Sequence, residues 1–417
     1  MTPIHRFLIL GLIAFLAIRC AGTAPAPTLQ PPAPPEVTTG TATEPTRRPQ
    51  DSLEAPTGSA LDPTLLPQVS SGGSSDTSGD WQAASPESQG MDSNLLAEMF
   101  LEIEEGGTDL DSLMILRNGS IVLEAYFFPN TADRKHVMFS ITKSFMATLT
   151  GIALELGYIE SVDQRIVDLL PETSFDNPDP RKEQVTLEDV LTMTSGLGWE
   201  EIDPTFAELY YQEDWIEYVL GKPMVADPGS LFSYCSGCSH ILSAVLQERT
   251  GQDLLQFARE NLFEPLGISD FNWETDRSDL PIGGWGLELT TRDMAKIGIL
   301  YLNQGSWKGT QVIPAEWIDA AVEYHTDTGD GVGYGYQWWI YPDYEAYAAL
   351  GRGGQTVFVI PDKDLIISTT AETPNHDPII DLIDGFILPA VRSDQGLPPN
   401  PEGEKRLRAI IDQISQP

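Results

Sequence analysis

Basic residues are scarce in this chain of 417: 24 Lys+Arg stand against 62 Asp+Glu, a formal net charge of −38. So acidic a surface repels a phosphate backbone, and no basic cluster relieves it, which argues against nucleic-acid binding. Cysteine is scarcer still, and three of them cannot staple a scaffold of this size. The five histidines fall in no recognisable zinc spacing, so no metal is expected. There is no Gly-x-Ser-x-Gly elbow, no Walker loop and no dinucleotide-binding glycine loop, which removes the α/β-hydrolase nucleophile turn and the usual nucleotide cradles. What is present, 41% apolar and 9% aromatic residues, suffices for a substantial core and rules out wholesale disorder.

No apolar run is long enough to span a membrane comfortably. The best, residues 7–18, is interrupted only by Gly11; twelve residues at about 1.5 Å rise cover roughly 18 Å of a ~30 Å hydrocarbon core. Following His5 and Arg6, it reads as a secretory signal. Its end, Ala17-Ile18-Arg19-Cys20, resembles a bacterial lipoprotein signal with Cys20 as the lipidated residue, although Arg19 stands where a small residue is usual. The expected protein is exported, and either tethered to the membrane through that anchor or secreted. Residues 21–80 contain no Phe, Trp or Tyr and are rich in Pro, Thr, Ala, Ser and Gly; such a segment cannot offset its ordering entropy by burial and reads as a disordered tether. The expected organisation is a signal over 1–20, a linker over 21–80, a catalytic domain over 81–395 and a tail with a short helix over 396–417.

From Trp81 onward, strand patterns occupy both ends and helical patterns the middle. In Ser112 to Phe127, two β-rich runs flank Asn118-Gly119, the strongest short hairpin signal. Further strands are expected over 337–341, 344–350, 355–360 and 365–370, with turn residues at or near the joins. Phe145, Leu149, Ile152 and Leu156 keep helical spacing up to Gly157, Ile241 and Val245 precede Gly251, and another helix is expected over 291–302. The fold class is α+β: an antiparallel sheet built from N- and C-terminal strands, flanked by helices, with an inserted, mainly helical lobe. Leu407, Ile410, Ile411 and Ile414 predict a docked helix in the tail.

Three stretches carry chemistry. Ser140-Ile141-Thr142-Lys143 is an S-x-x-K, and on a helix beginning at Ser140 the lysine lies one turn on, on the same face. A buried lysine with a lowered pKa can act as base toward the hydroxyl, and the helix N-terminus favours the oxyanion formed by attack. The alternative is a capping serine beside a solvated lysine. Tyr234, in Phe232-Ser233-Tyr234-Cys235-Ser236, can present its phenol to that pair, and cationic or hydrogen-bonding partners can lower its pKa enough to shuttle a proton; the alternative is an ordinary half-buried tyrosine. Gly351-Arg352-Gly353-Gly354-Gln355 opens a strand whose backbone can approach a substrate, or is simply a tight turn.

With Leu191-Thr192-Met193-Thr194-Ser195-Gly196-Leu197, Gly286-Leu287-Glu288-Leu289-Thr290-Thr291-Arg292-Asp293-Met294 and Tyr334-Gly335-Tyr336-Gln337-Trp338-Trp339, these stretches make the sequence from about Trp81 to Asp394 resemble the serine β-lactamase-like superfamily. That group takes in class C β-lactamases, DD-peptidases, esterases and 6-aminohexanoate-dimer hydrolases. The resemblance implies Ser140 as nucleophile, Lys143 as base or proton relay and Tyr234 as proton donor to the leaving group. It also implies backbone N–H groups of Ser140 and Gln355 as oxyanion hole, and substrate contacts at Ser236, Arg352, Gly353 and Gly354, with no cofactor. Ser236 stands in place of the asparagine of Tyr-x-Asn, and Gly353 in place of the hydroxyl residue of Lys-Thr-Gly. Both changes favour esterase or amidase action on a small-molecule substrate over true β-lactamase action. The alternatives are a DD-peptidase or β-lactamase, or a penicillin-recognising module that acylates without turnover; no protein partner is expected.

Two features stay open at this level. Cys235-x-x-Cys238 is structural, coincident or redox-active. Between 199 and 218, seven acidic residues interleave with Trp199, Phe206, Tyr210, Tyr211, Trp215 and Tyr218, either a loop at the cleft favouring cationic substrates or a generic acidic surface.

Overall fold

The computed structural model describes residues 81–174, 177–201, 205–329 and 331–417; the expected signal, Cys20 and the linker lie outside them. Asn118 and Gly119 have φ of 48° and 70°, positive at both positions as a type I′ turn demands. They join β1 (Leu110–Arg117) to β2 (Ser120–Tyr126). Six further strands complete one sheet: β3 (Thr326–Asp327), β4 (Gly333–Tyr334), β5 (Trp339–Tyr341), β6 (Ala346–Gly351), β7 (Gln355–Ile360) and β8 (Leu365–Ala371). Their order is β2-β1-β8-β7-β6-β5-β4-β3, antiparallel throughout. Strands from opposite ends of the chain are neighbours, Ile115 standing opposite Ile367.

Two strands start later than their sequence suggests. The 344–350 run begins as strand only at Ala346, because Pro342–Tyr344 forms a 3-10 turn that Glu345 ends at φ 49°. The 337–341 run begins at Trp339, after Gln337 at φ 61°.

Every residue of β7 is buried. Val357 and Val359 enter one core, and Phe358 and Ile360 enter another, so period-two alternation puts apolar surface on both faces of the sheet. Each such side chain contributes about 1.5–3 kcal/mol on full burial. One face carries α1 (Ser93–Gly106) and α5 (Pro401–Ile414). The other carries α2 (Ile141–Glu155), α3 (Ser236–Thr250) and α4 (Thr291–Leu302). These three belong to the largely helical insertion between β2 and β3, with a small sheet of His136–Val137, Leu287–Leu289 and Asn272–Trp273. Left-handed Gly157 and Gly251 follow α2 and α3, and the Thr290 side chain caps α4 by accepting from the Asp293 N–H. In the tail, Leu407 of α5 is buried, and Ile414 O accepts from the Phe128 N–H at 2.9 Å.

Candidate active site

The entry to α2 is held from both sides. The Met138 N–H donates to Leu287 O at 2.8 Å, while a Cβ on Gly351 of β6 would lie 2.2 Å from Met138 O. The end of β6 therefore abuts the chain two residues before Ser140. Phe139 is left-handed at φ 46°, a conformation costly for a bulky residue that surrounding contacts must hold in place. Ser140 stands at the N-cap but makes no capping hydrogen bond. Instead its Oγ accepts from Lys143 Nζ at 2.9 Å.

Lys143 is 1% exposed, which excludes the solvated lysine. Its Nζ also donates to Ser236 Oγ at 2.9 Å and to Gly284 O at 2.7 Å, three acceptors for the three N–H bonds of an ammonium. Burial pushes its pKa down to about 8, with Glu201 opposing the shift. Behind Gly284, the Gly283 N–H donates to His240 Nδ1 at 3.2 Å, and the other ring nitrogen meets Asp276 Oδ2 at 3.1 Å. That assigns Nε2 as the protonated nitrogen. His240 thus holds the chain one residue before the Gly284 carbonyl that accepts from Lys143.

Tyr234 stacks on Trp339 at 5.7 Å between ring centroids, has Lys143 Nζ 4.9 Å from its ring centroid, and has the Ser140 hydroxyl acting to lower its pKa. The expected fall in its pKa is not found. Burial and the Glu201 carboxylate hold the phenol above its ordinary value, outweighing that hydroxyl. At neutral pH the group is a donor, not a phenolate.

Sequence reasoning singled out Ser236 but not its partner. The Ser236 hydroxyl donates to Glu201 Oε1; Glu201 Oε2 accepts from the Ser236 N–H at 3.1 Å and from Trp199 Nε1 at 2.7 Å. Of the acidic stretch, then, Glu201 enters the site, whereas Asp214 caps the helix Trp215–Leu220 and Glu208 accepts from Tyr218. Trp215 is buried and packs with Tyr210 and Trp285, so its aromatic character serves packing. Nothing local separates Glu201 from the other acidic residues in a chain with 62.

Arg352 is exposed at the β6–β7 turn. Gly353 and Gly354 have φ of 84° and 90°, and a Cβ on Gly354 would lie 2.5 Å from Thr373 Oγ1, so turn geometry and packing account for both glycines. Gln355 pairs with Gly351 in the ladder and donates from its side chain to Ala371 O at 2.7 Å. The site thus joins Ser140, Lys143, Tyr234 and Ser236 through hydrogen bonds and ring contacts. The turn bearing Arg352 adjoins it through Gly351.

The remaining motifs brace this arrangement. Left-handed Met193 (φ 62°) accepts at its carbonyl from the Ser233 N–H at 2.8 Å. Gln337 accepts from Ser144 of α2 at its carbonyl and from Ser239 of α3 at its side chain, and donates to Val190 O and Leu191 O. Cys235 and Cys238 form a disulfide across the first turn of α3, beside Tyr234 and Ser236.

The family model described as Beta-lactamase matches residues 98–382, and the chain belongs to that family, as a Beta-lactamase-family hydrolase. It is 23% identical over 312 residues to the 6-aminohexanoate-dimer hydrolase of Paenarthrobacter ureafaciens, covering 68% of this chain and 77% of that one. It is 29% identical over 203 residues to the lovastatin esterase of Penicillium rubens, 39% of this chain and 51% of the esterase, so about half of that enzyme is matched. The solved structure of a family VIII carboxylesterase superposes with a TM-score of 0.60 at 17% identity, covering 74% of this chain and 98% of that one; at such identity the likeness is one of fold.

Proposed function

We propose that the protein is a serine hydrolase that cleaves ester or amide bonds of small acyl substrates through an acyl-enzyme on Ser140. The observation that carries this reading is the 2.9 Å contact between Ser140 Oγ and Lys143 Nζ, made by a fully buried lysine whose pKa is brought down to about 8. A neutral Lys143 takes the Ser140 proton as Oγ attacks the substrate carbonyl. The backbone N–H groups of Ser140, at the start of α2, and of Gln355, at the start of β7, hold the oxyanion. Tyr234, whose phenol burial and the Glu201 carboxylate keep protonated at neutral pH, protonates the leaving group. Water then releases the acyl chain with Lys143 again as base. The lovastatin esterase and the 6-aminohexanoate-dimer hydrolase among the relatives support a hydrolytic reading of this kind. Ser236 supports it as well: its hydroxyl is engaged by Lys143 and Glu201, leaving no amide there to hold a β-lactam. On the strength of the apolar run at 7–18 ending in Cys20, we further place the protein outside the cytoplasm, tethered by a lipid on Cys20.

Intact-mass labelling with a fluorophosphonate tests the nucleophile. One adduct is expected on the wild type and none on Ser140→Ala, with turnover of p-nitrophenyl acetate and an intact chromogenic cephalosporin. Hydrolysis of the cephalosporin would move the assignment to a β-lactamase. An adduct that persists in Ser140→Ala would overturn the acyl-enzyme reading.

A further inference from the structure

As an ammonium, Lys143 cannot accept a proton. All three N–H bonds of its ammonium are donated, to Ser140 Oγ, Ser236 Oγ and Gly284 O, and no lone pair faces the nucleophile. One of those acceptors leads further. Ser236 Oγ receives from Lys143 and passes its own proton toward Glu201 Oε1, and the second carboxylate oxygen is fixed by the Ser236 N–H and the Trp199 indole. A hydroxyl donates and accepts at one atom, so the line from Nζ to the carboxylate is unbroken.

We propose that Glu201 is the positioning residue that makes Lys143 a base, acting through Ser236. This rests on the acyl-enzyme reading above. A proton leaves Nζ for Ser236 Oγ as the Ser236 proton moves to Glu201 Oε1, giving a neutral amine and a carboxylic acid. The freed lone pair takes the proton of Ser140 as Oγ bonds to the carbonyl carbon, and the ammonium then supplies the leaving group through Tyr234. Hydrolysis repeats the cycle with water as nucleophile, and the reverse relay restores the ammonium–carboxylate pair. The other titratable groups facing this line do not compete. The phenols of Tyr234 and Tyr334 are both held above their usual range, first by burial, and the His240–Asp276 pair lies behind the Gly283 N–H. Ser236 thereby has a purpose that an asparagine, whose side chain cannot pass a proton along in this way, would not serve.

The rate of fluorophosphonate acylation between about pH 5.5 and 9.5, with a proton inventory in mixed H2O/D2O, separates relay from simple charge. In the wild type the relay frees Lys143 internally, so the rate holds down to about pH 6 and more than one proton moves in the transition state. In Glu201→Gln and in Ser236→Ala, Lys143 must shed its proton to solvent. Acylation should then fall as the pH drops, with a one-proton inventory: in Ser236→Ala, which keeps the Glu201 charge, below about pH 8 to about a tenfold deficit at pH 7, and in Glu201→Gln, which loses the charge that holds the Lys143 proton, from a lower pH and to a smaller deficit. Ser236→Thr, which keeps the hydroxyl, should restore the wild-type profile and inventory. The opposite result is well defined. Glu201 also raises the proton affinity of Lys143, so if that charge were its whole role, Glu201→Gln would acylate at pH 7 as fast as the wild type or faster. That outcome overturns the relay. Should Glu201→Gln fail to fold, Ser236→Ala and Ser236→Thr decide alone, with an unchanged profile in Ser236→Ala overturning the relay. Labelling that survives Ser140→Ala strikes the acyl-enzyme reading, whereas labelling that needs Ser140 but ignores positions 201 and 236 strikes only the relay.

Discussion

A phenol that works as a base has to ionise near the working pH. Tyr234 moves the other way, raised by burial and by the nearby Glu201 carboxylate. Under the proposed scheme it is therefore an acid at every pH from about 6 to 9, and its contribution does not vary across that range. Tyr234→Phe, which keeps the stack on Trp339, should lower p-nitrophenyl ester turnover by about 100-fold or more. The ratio of wild-type to variant rates should stay constant with pH; a ratio that climbs toward pH 9 would show a working phenolate instead. At this scale the sequence was informative where spacing carries geometry, since one helical turn brings Lys143 to Ser140. It was silent where geometry comes from tertiary packing. Glu201 precedes Ser236 by 35 positions and meets it with a carboxylate that the Trp199 indole also holds, and Gly284 contributes a carbonyl that no side-chain pattern could mark.

Among the elements, α2 has the least freedom, because the proposed nucleophile stands at its N-terminus and it lies buried almost throughout. A Cβ on Gly151 would lie 2.5 to 2.6 Å from three ring atoms of Trp317. Gly151→Ala should cost about 1–3 kcal/mol of overpacking against a helix-propensity gain of up to about 1 kcal/mol. A net loss is expected, read as a lower Tm together with slower acylation as α2 shifts. An unchanged or higher Tm would mean that the indole moves aside freely. Helices and strands were read well where periodicity met a clear stop. The 355–360 strand and the 291–302 helix begin and end where the pattern put them. Errors arose where local turns intervene, at Glu345 and Gln337, whose left-handed backbones the flanking aromatic residues disguised as strand.

For the whole molecule, a net charge of −38 makes self-repulsion a standing term against compactness. Raising salt from about 0.1 to about 1 M shortens the screening length from about 10 to 3 Å, so thermal unfolding should shift to higher temperature. A downward shift would show that attractive pairs such as Arg292–Glu124 outweigh the repulsion. The pairing of β1 with β8 has a consequence in time. On a ribosome adding about 5–20 residues per second, β1 and β2 emerge well before the strand that lies beside β1, which ends at Ala371. For tens of seconds the hairpin exposes an apolar edge that β8 covers in the folded protein. The helical insertion is synthesised within that interval, so the nascent chain requires shielding until the strand ending at Ala371 has been made.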